Sequence, residues 1–583
     1  MRRGWLAISC GLLVACSGHD ASSATPSSVP RAVAVDESVD APPSADCGPA
    51  TDGTIRVWTL AVTSATRDLL GEFAQAFEES TGMEVEVTRL GGDQEVVDRL
   101  AATPFDQWPD VVVVSERATR TLVDSGHFLP PQSCDPAFGD DLLPVVRSRY
   151  TVDGELQVVP FGVSTPVLIF DKVRFRAAGL DPDAPPATYA ELLADSSTLV
   201  ETNASPYGLV LTDWCAITVA EQNSARRGAV LAEPANGLTT PNITVDLTTP
   251  EISADLAGFR EGVVDGHVKY IGPNYSGYDD LAQFMDATAG GAMSIHTSAA
   301  IGDIQRFLDG GNGPGIELGV GALPGPGAGS TVGGNALWIV NSGDPGRVGR
   351  AWALVTSMTS PANMADLAMT LGYAPASRSA AADPRLQQFW REHPEYRVAY
   401  DQLESMSASD ASGGLTIGPF SGYLSAMYDA CRHIMKGEAP IAVALADATN
   451  EINGAVAEYV ELLGGTPVQV TEVTPPVTNA PTLRELEGTA ECTSGAAVVG
   501  VWVETESAVG SDWAVVALDG SSATFTAAIP DGDRYRLTVG CGGSEEAWAS
   551  SSSTHFLDLG SVDLVCDDAP NVSDGECTVS SRP

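Results

Sequence analysis

The sequence predicts an α/β protein built on open sheets, followed by a small all-β domain at the carboxyl end. Three observations predict it. From residue 54 strand-like and helix-like stretches alternate, Val111 to Val114 form a run apolar on both faces, and after residue 488 short alternating runs are separated by Gly, Asp and Ser. A chain of 583 residues with 44% hydrophobic content can fill several cores, and 18% charged residues is too few for an acidic disordered chain. The 31 basic against 76 acidic side chains give a formal charge of −45. That balance excludes a nucleic-acid partner and a basic lipid-binding face, both of which need clustered Lys and Arg.

The amino terminus reads as an address. Arg2 and Arg3 precede a short apolar run, Leu6 to Ala15, far below the roughly 20 residues a spanning helix needs. The run ends in Leu13-Val14-Ala15-Cys16, which resembles the lipobox of bacterial lipoproteins. The resemblance implies a signal peptide over residues 1–15 and a lipidated Cys16, hence anchoring to the outer face of the cell membrane. Residues 16–50, rich in Ser, Ala, Pro, Asp and Val, read as a flexible tether.

The main domain is expected over residues 51–464. Thr54 to Trp58 reads as a strand and residues 66–80 as a helix, with Leu70, Phe73, Ala74 and Phe77 on one face. Thr81-Gly82 stops that helix, Met83 to Thr88 resumes a strand, and Asp93 to Ala102 repeats the helical pattern. The four valines then suit a central strand covered by helices on both sides. Ligands of open α/β sheets sit beyond the carboxyl ends of the strands, which points at Thr59, Ser115 and Glu116.

Further along, Val159 to Leu192 reads VPFGVSTPVLIFDKVRFRAAGLDPDAPPATYAEL, followed in order by AMSIHTSAAIGDI (Ala292 to Ile304), VGGNALWI (Val332 to Ile339), Ser360-Pro361 and LGYAP (Leu371 to Pro375). This series resembles family 1 extracellular solute-binding proteins, most of all their glycerol-3-phosphate-binding and sugar-binding members. The resemblance implies a two-lobed, periplasmic-binding-protein-like fold (type II) with a hinge, and chain crossings near Ser164, Ser298 and Leu337. It also implies a small-molecule solute closed between the lobes, ABC permease subunits as partners, and no cofactor.

Candidate ligand contacts follow from both readings. Glu116 stands at the strand end, where a carboxylate accepts bonds from ligand hydroxyls. Ser164 and Ser298 match family positions that donate to ligand. Trp214, after the strand-like Gly208 to Leu211, offers a face for a sugar ring or glycerol carbons. Gly333 and Gly334 permit close backbone approach, and Tyr373 can present its hydroxyl. Two departures from the resembled pattern stand out. Asp93 replaces a Tyr, and Gly414 to Tyr423 (GLTIGPFSGY) lacks the Arg expected to hold a phosphate. A neutral sugar or polyol is therefore as well suited as a glycerophosphate.

The chain has no G-x-S-x-G elbow, H-E-x-x-H, Walker lysine or dinucleotide fingerprint, and its seven His lack metal-ligand spacing. An enzyme is not expected; a carbohydrate-active enzyme and a solute-binding sensor or adhesion lipoprotein are the alternatives. Residues 465–487 read as an extended linker. Residues 488–583, with 15 acidic and 3 basic side chains, read as a β-sandwich or barrel. Its Cys492, Cys541, Cys566 and Cys577 allow three pairings, of which Cys492–Cys541 with Cys566–Cys577 is favoured. Pairing among Cys47, Cys134, Cys215 and Cys431 stays open.

Overall fold

Two mixed sheets, one in each lobe, carry the main domain. In the computed structural model they run Val85–Leu90, Ile55–Leu60, Val111–Ser115, Gly333–Val340, Phe128–Leu129 with Val159–Ser164 also on Gly333–Val340, and Val268–Tyr270, Tyr207–Leu211, Gly291–Thr297, Pro166–Asp171, Leu318–Ala322. The structure describes residues 47–60, 63–274, 277–286, 289–313, 315–470, 472–474, 483–505, 512–519, 521–530, 534–544, 547–568 and 575–581. The expected signal segment, Cys16 and most of the expected tether lie outside the described residues. Among the described residues no helix is long and apolar enough to cross a membrane.

In each sheet three strands are parallel and the rest antiparallel to a neighbour. The reason is directional. Ile55–Leu60, Val111–Ser115, Tyr207–Leu211 and Gly291–Thr297 all run toward the gap between the lobes. A chain entering from the other lobe must begin at that gap and run away from it. Pro166–Asp171 and Gly333–Val340 do so, and so lie antiparallel to Gly291–Thr297 and Val111–Ser115 respectively.

The first helix, Ser64–Thr81, ends on Gly82, whose φ of 76° lets its N–H reach back to the Glu78 carbonyl. Its buried stripe is Leu69, Phe73 and Phe77, with Leu70 and Ala74 on the half-buried flank. The valine run divides its faces between two cores. Val111 and Val113 pack with Phe73, Phe77 and Leu354, while Val112 and Val114 join the cluster of Leu100, Leu122 and Trp338. No alternation of polar and apolar residues is possible when both faces are covered.

The chain first crosses between lobes at Thr165, between Val159–Ser164 and Pro166–Asp171. It stays in the second lobe through Ser298, because Gly291–Thr297 and Leu318–Ala322 share one sheet. The return runs through residues 323–332 and is complete before Leu337, which sits inside Gly333–Val340. A third crossing follows the helix Arg378–Ala381 and leads to the helices Phe420–Lys436 and Ile441–Leu462 of the second lobe.

Disulfides join Cys47 to Cys134 and Cys215 to Cys431. The carboxyl-terminal strands form a nearly closed barrel of nine strands in one continuous hydrogen-bonded order. Its core includes Leu486, Val501, Phe525, Tyr535, Leu537 and Leu564. Disulfides there link Cys492 to Cys541 and Cys566 to Cys577, the second pair lying directly opposite each other on neighbouring strands.

Candidate functional site

Between the lobes lies a cleft of about 360 Å³, reached by the carboxyl ends of Val111–Ser115, Tyr207–Leu211 and Gly291–Thr297. The strand-end rule therefore locates it. Glu116, Ser164, Trp214 and Gly334 line it, as do Ser115 and Gly333.

Glu116 follows its strand in the short turn Glu116–Ala118 and is 8% exposed. Its Oε2 accepts from the Gly334 N–H at 2.9 Å. Gly334 is thus already engaged by the protein, and its place in the wall has a steric cause. Its φ is 108°, and a Cβ there would stand 1.8 Å from the Gly162 carbonyl oxygen. Ser164 ends its strand opposite Gly333, at the hinge side of the cleft.

Three expected contacts have other tasks. Asp93, at the start of the helix Asp93–Ala102, accepts the Ser115 N–H at 2.7 Å and the Ser115 hydroxyl at 2.6 Å. It holds a cleft residue in place and is not itself in the cleft wall; a carboxylate at a helix start has N–H donors beside it, and here it also captures the strand end. Ser298 is fully buried and fastens the hinge: its N–H donates to the Thr165 carbonyl at 2.8 Å, and its Oγ accepts the Thr165 N–H at 3.3 Å. Tyr373 lies against Gly162, where a Cβ would come within 3.0 Å of its ring, and it is not among the residues that line the cleft. Burial, with the nearby Asp303 carboxylate, pushes its hydroxyl up to about 12.

The second lobe supplies residues that sequence reasoning missed. A continuous helical stretch, Cys215–Ile217, Thr218–Gln222 and Asn223–Arg226, contains a π turn at Thr218–Gln222. Such wide turns displace side chains from the regular helical register and recur at functional sites. This one presents Thr218, Glu221 and Gln222 to the cleft. Gln222 also ties the helix to the returning chain, its Nε2 donating to Thr331 Oγ1 at 2.7 Å and its Oε1 accepting from Ser330 Oγ at 2.8 Å.

Trp214, 39% exposed, and Tyr278, 36% exposed, offer aromatic surface to the cleft. Between Tyr278 and the sheet, Asp280 accepts from Ser294 Oγ at 2.6 Å and Asn274 Nδ2 at 3.1 Å, with His296 Nε2 at 3.6 Å. His296 sits inside the quoted AMSIHTSAAIGDI segment, so a polar residue near a strand end was a usable signal. Tyr278 and Asp280 come from a loop and a short helix with no such mark.

Arg117 was one residue beyond the strand-end prediction. Its guanidinium lies 4.9 Å over the Trp214 ring and its Nε is 3.9 Å from Glu116 Oε1. The stretch Gly414 to Tyr423, which lacks an Arg of its own, receives a different cation. Buried Arg149 donates to the Gly413 carbonyl at 3.0 Å, the Leu415 carbonyl at 2.8 Å and Thr416 Oγ1 at 3.2 Å. That guanidinium serves the backbone and does not line the cleft.

Glu221 carries a testable electrostatic signature. Burial pushes its carboxyl above the usual range, against the hydroxyl of Tyr423, which donates to its Oε1 at 2.7 Å, and the positive charges of Arg149 and Arg117. The unfolded chain releases this proton near the ordinary glutamate pKa of about 4.3, whereas the folded protein holds it to higher pH. The stability from this group is therefore complete below that value and is lost as pH rises through the raised one. Glu221→Gln keeps an acceptor for Tyr423. It should raise the thermal midpoint at pH 8 and leave it nearly unchanged at pH 4, as followed by circular dichroism.

The arrangement of aromatic faces, carboxylates and hydroxyls in a gap between lobes suits reversible capture of a polar solute. Relatives of known identity have the same architecture. The chain is 24% identical over 339 residues to the sn-glycerol-3-phosphate-binding periplasmic protein UgpB of Salmonella typhimurium, covering 56% of this chain and 74% of that protein. With the UgpB of Rhizobium meliloti it shares 22% over 413 residues, 69% of this chain and 93% of the relative. The fold resembles that of the GacH receptor of Streptomyces glaucescens, solved unliganded and with acarbose, at a TM-score of 0.57 and 19% identity over 71% of this chain and 100% of that one. It also resembles UgpB from Mycobacterium tuberculosis in complex with glycerophosphocholine, at a TM-score of 0.56 and 18% identity over 70% and 100% of the two chains. Residues 72–396, more than half of the sequence, match the profile of the bacterial extracellular solute-binding proteins, and the chain belongs to that family.

Proposed function

We propose that this protein is the solute-capturing component of an ABC importer, taking a sugar, polyol or glycerophosphate-type solute between its lobes and delivering it to a membrane permease. The reading includes export and anchoring through a lipidated Cys16, and binding without turnover. The observation that carries it is the 360 Å³ cleft, with Trp214 and Tyr278 on one lobe facing Glu116 and Ser164 of the other. That space suits a small polar solute: the aromatic faces cover C–H surface while carboxylates and hydroxyls take its hydroxyl groups. Contacts to both lobes would favour the closed arrangement, the form that a permease distinguishes from the empty one.

A thermal-shift screen of the full chain with sugars, polyols and glycerophosphodiesters tests this. A true ligand should stabilise in proportion to RT ln(1 + [L]/Kd), about 2.7 kcal/mol at a hundredfold excess over Kd. Absence of a saturable response to every small solute would sink the reading.

A further inference from the structure

Arg117 is the one Lys or Arg lining the cleft among the described residues. The carboxylates around it already accept from the protein: Glu116 from Gly334 N–H, Glu221 from the Tyr423 hydroxyl, and Asp280 from Ser294 and Asn274. The Arg117 guanidinium donates no hydrogen bond within the described residues. Its contacts are Glu116 Oε1 at 3.9 Å, beyond hydrogen-bond reach, and the Trp214 face at 4.9 Å. The contact with Trp214 spans the cleft, since Arg117 belongs to the first lobe and Trp214 to the second.

We propose that Arg117 is the specificity-determining residue of this cleft, reading a phosphate or carboxylate group on a solute whose carbon skeleton lies against Trp214. The proposal rests on the solute-binding reading and names the ligand class within it: an anionic sugar or polyol derivative, preferred over its neutral parent. The lack of Arg in Gly414 to Tyr423 points toward neutral ligands only if no other residue replaces that cation. Arg117 replaces it from the opposite side of the sequence. Five N–H donors in a planar fork match two oxygens of an anionic group, and a cation in a partly enclosed cleft keeps most of its pull.

The neighbouring acids do not cancel that pull. An anion bonded to the fork sits nearer to the guanidinium than to Glu116, whose Oε2 is engaged by the Gly334 N–H while its Oε1 stands 3.9 Å from Arg117 Nε. The closest charge governs the balance. Burial raises the Glu221 carboxyl above its usual range, and its Oε1 already accepts from the Tyr423 hydroxyl. On Trp214, the solute takes the indole face that the guanidinium now covers, while the guanidinium turns its edge to the acidic group.

The test is calorimetry on the full chain with matched pairs: glycerol and sn-glycerol 3-phosphate, glucose and glucose 6-phosphate, glucose and glucuronate. In the wild type at least one charged member should bind tenfold or more tightly than its neutral parent, and added salt should narrow the gap. Arg117→Gln should abolish the preference, with the charged member losing about tenfold and the neutral one changing less than twofold; Arg117→Lys should retain part of it. Circular dichroism melts of both variants establish that they fold. Neutral parents binding as well as charged partners, or equal loss for both in Arg117→Gln, would overturn the proposal. Binding of neutral oligosaccharides alone would overturn it too and leave the solute-binding reading standing. No binding by any solute would remove both.

Discussion

Trp214→Ala is expected to weaken capture of the cleft's solute by at least about tenfold, which corresponds to about 1.4 kcal/mol. The indole is more than one third exposed, so its removal takes little from the folded core. The indole face now under the Arg117 guanidinium is where ligand carbons would pack, and buried aromatic contacts are among the largest single contributions a side chain makes to binding. The change in stability should stay within about 1 kcal/mol, the usual range for a partly exposed site. Titration calorimetry and a thermal melt on the same preparation separate the two effects. Trp214→Phe should recover part of the affinity, because a smaller ring still covers C–H surface. Unchanged affinity in Trp214→Ala would remove the indole from the binding wall.

A second large effect is expected at the disulfide beside it. Cys215–Cys431 links residues 216 positions apart and fastens the helical stretch after Trp214 to the helix Phe420–Lys436. Loop-closure entropy for so long a separation gives about 5 kcal/mol, and measured losses on removing native bridges run at about 2–5 kcal/mol. Cys215→Ser with Cys431→Ser should therefore lower the thermal midpoint by about 4–20 °C, given about 2–4 °C per kcal/mol for large domains. The same double variant should bind solute more weakly, since Trp214 immediately precedes the unfastened residue. Removing Cys566–Cys577, only 11 positions apart, should cost less. A double Ser variant that melts with the wild type would show that the helices hold the second lobe without the bridge.

Much of the first lobe was legible because periodicity is local. The helix Asp93–Ala102, the glycine stop at Gly82 and the buried valine strand follow from residues near one another in sequence. The valine run announced burial on both faces, though not that an antiparallel strand from residues 333–340 would be one of its neighbours. The hinge at Ser164 was legible from a contiguous motif. The crossings assigned near Ser298 and Leu337 were displaced, because one sheet keeps Gly291–Thr297 with Leu318–Ala322 and only long-range pairing reveals that.

The candidate site divides along the same line. Glu116 and Trp214 were visible as residues following strands, and both stand in the cleft wall. Asp93 and Ser298 carried the right chemistry and bond to distant segments, at Ser115 and Thr165, while the Tyr373 ring packs against Gly162. Glu221, Tyr278 and Asp280 were invisible because a π turn, a loop and a six-residue helix bring them to the cleft without a periodic pattern.

By itself the sequence determined the alternating α/β architecture, the carboxyl-terminal β domain, the acidic surface and the strand ends at which a ligand would lie. These depend on side-chain periodicity and composition, which act over a few residues or over the whole chain. Only the tertiary structure decided which polar groups face the cleft and which are already held by the protein. A hydrogen bond requires two groups within about 3 Å, and the segments that meet here, such as residues 93 and 115 or 116 and 334, are brought together by the fold. That is why the role of the Arg beside Glu116 is set by the fold, in which its guanidinium donates no hydrogen bond among the described residues.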